Sequence, residues 1–155
     1  MKIGVISDTH NYLDPAVARL FEGVDHILHG GDIGLPRILL ELGQIAPVTS
    51  VAGNTDDPLF RYPLIEVVTL AGRKFLLHHI VDPRAPAGEW GSRWECERPA
   101  GVVFGHTHRP CCETLGGGLF FNPGYAGRSR FRMERSVAIL HLEETGIRPE
   151  FFPLG

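Results

Sequence analysis

Nothing in these 155 residues approaches the ~20 consecutive apolar positions of a membrane-spanning helix, and the first apolar stretch is too short for a secretory leader. Positive charge is scarce as well. Fifteen Lys and Arg stand against 18 Asp and Glu, a net charge of −3, which argues against a dedicated nucleic-acid-binding face. Cysteine is limited to Cys96, Cys111 and Cys112, an odd number with two adjacent, so no disulfide framework is expected and a reducing, cytoplasmic setting is. No repeat, low-complexity tract or composition break divides the chain, so residues 1–155 read as one domain. A persuasive Ser/His/Asp or Cys/His nucleophile set is missing too. What the chain does have is 19 glycines, 12 prolines and 8 histidines, many of them just after short apolar runs.

The first such run is Met1–Ile6, rich in β-branched residues and closed by Ser7-Asp8-Thr9-His10, which reads as a buried strand. In an open α/β sheet, ligands bind beyond the carboxyl ends of the strands. Asp8 and His10, two apart on extended chain, aim an oxygen and an imidazole at one point. Asp14-Pro15 opens a helix to about Phe21, with Asp14 as cap and Pro15 as first helical residue. Val24–His29 is a second strand, closed by Gly30-Gly31-Asp32. Pro36 begins a helix through about Leu42, and Val48–Val51 is a third strand, ended by Gly53-Asn54-Thr55-Asp56. This strand–helix alternation predicts a parallel sheet with right-handed crossovers. The second half predicts hairpins over Leu64–Leu70/Arg73–His78, Cys112–Leu115/Leu119–Phe121 and Ser136–Leu142/Gly146–Phe152. Between them lie a short helix at Ala87–Cys96 and a strand at Val102–Phe104 that ends in Gly105-His106-Thr107-His108.

Five strand ends therefore carry the same chemistry: Asp8/His10, Asp32, Asn54, His78 (or its neighbour His79) and His106/His108. Carboxylate, imidazole and amide oxygen suit divalent Mn, Fe, Zn, Co or Ni. Singly, each is bland, since Asp32 and Asn54 after glycine are ordinary turn residues. Their coincidence at five strand ends points to one metal site. His78 is taken as the ligand over His79 because it directly ends the Phe75-Leu76-Leu77 run.

These segments resemble the metallophosphoesterase (calcineurin-like) superfamily, closest in spacing to its small bacterial and archaeal phosphodiesterase branch. The resemblance runs from Lys2 to about Leu142 and includes Asn122-Pro123-Gly124. It implies a four-layer αββα sandwich of two mixed β-sheets flanked by helices. It also implies two divalent metal ions, Mn2+ first, with Ni2+, Fe2+, Zn2+, Co2+ or Mg2+ as alternatives. Carried over by position, Asp8, His10 and His108 hold the first ion and Asn54, His78 and His106 the second. Asp32 bridges both through its two oxygens, across ions ~3.5–4 Å apart. The implied activity is a phosphodiesterase in which a metal-bridging hydroxide attacks a small phosphorylated substrate, with Asp32, Asn54 and His106 as the catalytic residues. A phosphomonoesterase or nucleotidase, or a metal-poor interaction scaffold of the same fold as in a retromer subunit, are the alternatives. A scaffold is expected to have lost ligands, and all seven positions are present.

Three positions depart from the family pattern. Thr55 stands where relatives carry His or Cys, His79 where Gly is frequent, and Tyr125 where Ser follows Asn-Pro-Gly. They leave the general acid open among Thr55, Asp56 and His79. Outside the pattern, His29 is either an orienting group or a half-buried structural histidine. Trp90 and Trp94 share a helix face, for core packing, an oligomer contact or a substrate lid. Arg109 and the run Arg128-Ser129-Arg130-Phe131-Arg132 either meet substrate anions or are solvated loop. A homo-oligomer stays open.

Overall fold

Ile3 and Val5 on β1 (Lys2–Ile6) enter one apolar cluster and Ile6 enters another, and this two-residue alternation generates the layers of the molecule. The computed structural model describes residues 1–155. After β1 come α1 (Ala16–Leu20), β2 (His26–His29), α2 (Arg37–Gly43), β3 (Val48–Ser50), a 3-10 turn at Pro58–Phe60, β4 (Ile65–Leu70) and β5 (Arg73–His78). The chain continues through α3 (Gly88–Glu97), β6 (Gly101–Val103), β7 (Cys111–Leu115), β8 (Gly118–Asn122), β9 (Ser136–Glu143) and β10 (Gly146–Pro153). Two mixed five-stranded sheets result, ordered β10-β9-β1-β2-β3 and β4-β5-β6-β8-β7.

In the first sheet β1, β2 and β3 run parallel, as the strand–helix order requires, and the β9–β10 hairpin adds antiparallel to β1. In the second, β5, β6 and β8 are parallel and β4 and β7 close the edges antiparallel. Alternation then sorts the side chains. Leu28, Phe75, Leu77, Val103, Phe121, Ala138 and Leu140 fill the slab between the sheets. Ile27, Val137 and Ile139 face the other way, onto Val17 and Phe21 at α1 and Ile38 and Leu42 on α2. Leu76, Val102 and Phe120 face out beneath α3, where Trp90 is buried and Trp94 lies 5.0 Å from Phe120 between ring centres. The tryptophan pair is therefore core packing. This is the four-layer αββα sandwich.

Element ends differ slightly from the sequence reading. Pro15 and Pro36 occupy the N-cap positions, and Asp14 accepts the Ala16 N–H at 2.9 Å from one residue further out. The turn at Pro58–Phe60 went unread although its signal is present, with Asp57 accepting the Leu59 N–H ahead of the proline.

Candidate metal centre

The ends of β1, β2, β3, β5 and β6 meet at one edge of the sandwich. Gly30 N–H donates to Ile6, Gly105 N–H to His79 and His106 N–H to the Asp8 carboxylate, stitching loops of both sheets together. Within this seam Asp8 is wholly buried and Asp32 nearly so. The Asp8 Oδ2 atom accepts from Ser7 Oγ at 2.8 Å and from the His106 N–H at 3.2 Å, and Asp32 Oδ1 accepts the Thr55 N–H at 2.9 Å. One oxygen of each carboxylate is thereby tied to the protein, leaving Asp8 Oδ1 and Asp32 Oδ2 facing inward.

Imidazoles surround those two oxygens. His108 Nε2 lies 3.2 Å from Asp8 Oδ1, and His10 Nε2 lies 3.8 Å from Asp8 Oδ1 and 3.6 Å from Asp32 Oδ2. His79 Nε2 lies 3.2 Å from Asp32 Oδ2 and 3.8 Å from Asp8 Oδ1. The His79 tautomer follows from its other nitrogen. Nδ1–H donates to the Gly30 carbonyl at 2.7 Å, so in the neutral ring Nε2 carries a lone pair. That lone pair confronts carboxylate oxygens, which is repulsive unless a proton or a cation lies between them. Asp8 Oδ1, His10 Nε2 and His79 Nε2 are all buried without a hydrogen-bond partner. Buried polar atoms are rarely left so, and three converging from separate loops fit a divalent cation. Two ligand groups emerge, Asp8/His10/His108 and Asp8/Asp32/His79. His106 Nδ1 sits 3.0 Å from Asn54 Oδ1 at the exposed rim, its ring 5.4 Å from that of His79.

Burial pushes the Asp8 carboxyl up, beyond what His79, Ser7 and His108 recover. Burial disfavours charge on His79, yet Asp32, Asp8 and Gly30 outweigh it and raise its pKa. Burial would likewise raise Asp32, but His79 and the Thr55 backbone hold it well below the usual carboxylate range. Burial thus works against charge on all three groups, and the mutual attraction of His79 and the two carboxylates works for it.

One ligand assignment from the sequence is corrected. His78 is not in the cluster; its Nδ1 pairs with the Leu64 carbonyl at 2.9 Å. Along β5, Phe75 and Leu77 point into the slab between the sheets and Leu76 points out, so alternation sends His78 outward and His79 inward. The apolar run Phe75-Leu76-Leu77 is buried on both faces, so the sequence does not show which histidine faces inward, and adjacency to the run was no guide. The reading of Asp32 narrows too: with Oδ1 on Thr55, only Oδ2 faces both His10 and His79.

The backbone is bent hard to present this set. Asp8, His10, Asp32, His106 and His108 all adopt φ between 45° and 70°, half of the ten non-glycine residues in the left-handed region. Such conformations cost of order 1–3 kcal/mol each and gather at functional sites. Several residues hold them there. Asp56 accepts the N–H groups of Ile33 (3.1 Å), Gly34 (2.9 Å) and Gly53 (2.8 Å), clamping the Asp32 loop to the Asn54 loop. Wholly buried His29 accepts the Gly31 N–H at Nδ1, so its Nε2–H donates to Thr9 Oγ1, whose hydroxyl donates to the Ile33 carbonyl. Asn122 Nδ2 donates to the Gly105 carbonyl and Thr107 Oγ1, fixing the His106–His108 loop from the Asn-Pro-Gly turn. The Tyr125 ring, fully buried, backs His108 at 4.8 Å and His10 at 6.2 Å. Sequence reasoning noted Asp56 and Tyr125 without assigning these roles, because a clamp between loops has no spacing signature.

A four-layer sandwich with buried carboxylates and imidazoles at its strand ends defines a class of protein with a candidate metal centre between its two sheets. Residues 1–145 match the calcineurin-like phosphoesterase superfamily domain, and the chain belongs to that metal-dependent family of phosphoric ester hydrolases. It is 34% identical to a probable metallophosphoesterase of Methanothermobacter thermautotrophicus, spanning 100% of this chain and 94% of that protein. Against the probable metallophosphoesterase YsnB of Bacillus subtilis it is 30% identical over 98% of this chain and 90% of the other. Among solved structures, a predicted phosphoesterase of Streptococcus pneumoniae superposes with a TM-score of 0.76 at 25% identity, covering 99% of this chain and 89% of that one. The fold is also that of an archaeal phosphodiesterase (TM-score 0.76, 22% identity, 98% and 100% covered). It is shared with zinc-complexed Vps29 of Entamoeba histolytica (TM-score 0.74, 20% identity, 100% of both covered). No helix is long and apolar enough to cross a membrane.

Proposed function

We propose that this chain is a phosphodiesterase of small phosphorylated substrates that works with two divalent cations, Mn2+ foremost. Asp8, His10 and His108 would hold one and Asn54, His79 and His106 the other, with Asp32 between the two groups. The observation that carries this reading is the set of unpartnered buried atoms, Asp8 Oδ1, His10 Nε2 and His79 Nε2, turned toward one another. Such ions, when bound, supply Lewis acidity toward phosphoryl oxygens and make water acidic enough to serve as a nucleophile near neutral pH. The chain's own residues position and shield. Ser7 and the His106 N–H orient the Asp8 carboxylate, Gly30 fixes the His79 ring, and Thr55 N–H orients Asp32. Asn54 and His106 are exposed, so an incoming phosphoryl group meets them first. Asp56 is not a free acid, because both its oxygens are engaged by backbone N–H groups. His79 is buried with Nδ1 on the Gly30 carbonyl, so neither of these two candidates presents a proton to solvent. Cytoplasmic residence is part of the same reading, supported by three free thiols.

The test is hydrolysis of a series of aryl and alkyl phosphodiesters and monoesters by the Mn2+-loaded protein. Diesters should turn over faster than monoesters of the same leaving group, and turnover should fall steeply as leaving-group pKa rises. A general acid would contribute ~10²–10⁴-fold and flatten that dependence. A protein binding no metal and hydrolysing nothing would instead be the interaction scaffold that the shared Vps29 fold keeps in view.

A further inference from the structure

On the loop after the Asn-Pro-Gly turn stand Arg128, Arg130, Arg132 and Arg135, cations that the ligand set does not use, of which Arg132 rests on its exposed neighbour Phe131 rather than on a ring by the cluster. The loop is tied down at its base. Ala126 N–H donates to the Ser7 carbonyl at 3.1 Å, Tyr125 OH to the Arg128 carbonyl at 2.9 Å and Arg135 Nε to the Gly127 carbonyl at 2.6 Å. Arg135 is a structural cation, buried and paired with Asp14 at 2.8 Å. Arg128 and Arg130 are different. Both are exposed, and no Asp or Glu lies within ion-pair distance of either. Their guanidinium groups rest on aromatic faces instead, Arg128 4.7 Å from the Tyr12 ring centre and Arg130 5.4 Å from that of Tyr125.

One platform lies against the site and the other is on the loop that carries it, where the Tyr12 N–H donates to the Thr9 carbonyl. Tyr12 follows His10 by two residues, and the Tyr125 ring lies directly against His108 and near His10. Arg130 is thus one ring removed from the Asp8/His10/His108 group, stacked on the ring that lies against His108. A guanidinium on an aromatic face is attracted by the ring and limited in orientation while its N–H fork stays free. That fork suits the oxygens of a phosphate, in a two-point, charge-assisted contact. In a chain of net charge −3, two exposed and unpaired arginines at this rim are a localised attraction for anions rather than part of a general basic surface.

We infer that Arg128 and Arg130 form a second phosphate subsite, so that the preferred substrates are small phosphoesters carrying a further phosphate group a few bonds from the one at the Asp/His cluster. The inference rests on the phosphoesterase reading for the placement of the first phosphate.

It is tested by calorimetric binding to the Mn2+-loaded full-length protein, comparing propyl phosphate with α,ω-alkane bisphosphates of three to six carbons. At one or more chain lengths the bisphosphate should bind at least ~10-fold more tightly than the monophosphate, as a charge-assisted contact would give. The Arg128→Gln/Arg130→Gln double variant, with folding checked by its melting temperature, should lose that gain. The inference is overturned if no bisphosphate gains over propyl phosphate, if neither ligand binds, or if the gain survives in the double variant. Turnover of bis(4-nitrophenyl) phosphate by the parent is read separately. Its absence would count against the phosphoesterase reading, while the bisphosphate comparison still decides the subsite.

Discussion

His79 directs Nε2 at Asp32 and Asp8, whereas His78 uses its Nδ1 on the Leu64 carbonyl, and substitution should separate the two neighbours. His79→Ala should weaken Mn2+ binding by ~10²-fold or more, since loss of even an outer-shell partner costs 10–100-fold. His78→Ala should leave metal affinity unchanged and cost about 0.5–1.5 kcal/mol of stability. Metal titration and urea unfolding of both variants check this. His29 offers a pH signature. Burial, aided by His79, depresses its pKa from the ordinary 6.5 to about 3. Within that window the unfolded chain takes up a proton that the folded chain refuses, so stability is present above pH 6.5 and is lost as pH falls. Between pH 7 and pH 4.5 this histidine should remove about 2–3 kcal/mol. Urea unfolding at the two pH values should show the parent losing that much more than His29→Gln; equal losses would mean that His29 is charged in the fold. At this scale the sequence was legible for which residues reach the seam: Asp8, His10, Asp32 and His108 gather there, with Asn54 and His106 at its rim. It placed His78 there in place of His79 because strand alternation, not proximity to the apolar run, decides which histidine turns inward.

Loops, rather than strands, determine whether the cluster exists, and glycine and Asp56 are the means. A Cβ on Gly53 would lie 2.0 Å from Asp32 Oδ1 and 2.2 Å from the Asp32 backbone nitrogen, so the two loops can approach only without a side chain there. Gly53→Ala, which removes no proposed ligand, should therefore reduce Mn2+ affinity by at least ~10-fold, in the range seen when ligand-orienting groups are lost. Asp56→Ala should act on the same pair of loops by leaving three N–H groups without their acceptor, costing roughly 2–4 kcal/mol and weakening metal binding together. Metal titration with thermal unfolding measures both, and Asp56→Ala with parental metal affinity would show that the clamp is dispensable. Gly-Asn and Gly-Asp could be read from the sequence as tight turns. That Asp56 joins the Asn54 turn to the Asp32 loop could not, because that contact spans more than twenty residues and forms only once β2 and β3 are paired.

Across the whole molecule, the order of strands and helices in the first half determined a parallel sheet, and three hairpins of the second half were placed within a residue or two of their observed bounds. Local pattern alone did not show how the β9–β10 hairpin crosses back to pair with β1, since that pairing joins residues more than a hundred positions apart. The resemblance supplied the four-layer sandwich but not that pairing, which the buried faces of β1 and β9 explain: Ile3, Val5, Ala138 and Leu140 share one apolar slab. The sandwich brings five strand ends to a single seam, where buried, unpartnered atoms of Asp8, His10 and His79 surround Asp32, and the proposal that they gather two cations is a proposal about the entire fold. Equilibrium dialysis against Mn2+, with bound metal counted by mass spectrometry and bis(4-nitrophenyl) phosphate hydrolysis followed at each occupancy, tests it most directly. The account expects two ions per chain, turnover that rises with the second, and loss of both metal and turnover in Asp32→Ala; a parent that binds no ion, or an Asp32→Ala variant that keeps two ions and normal turnover, would contradict it.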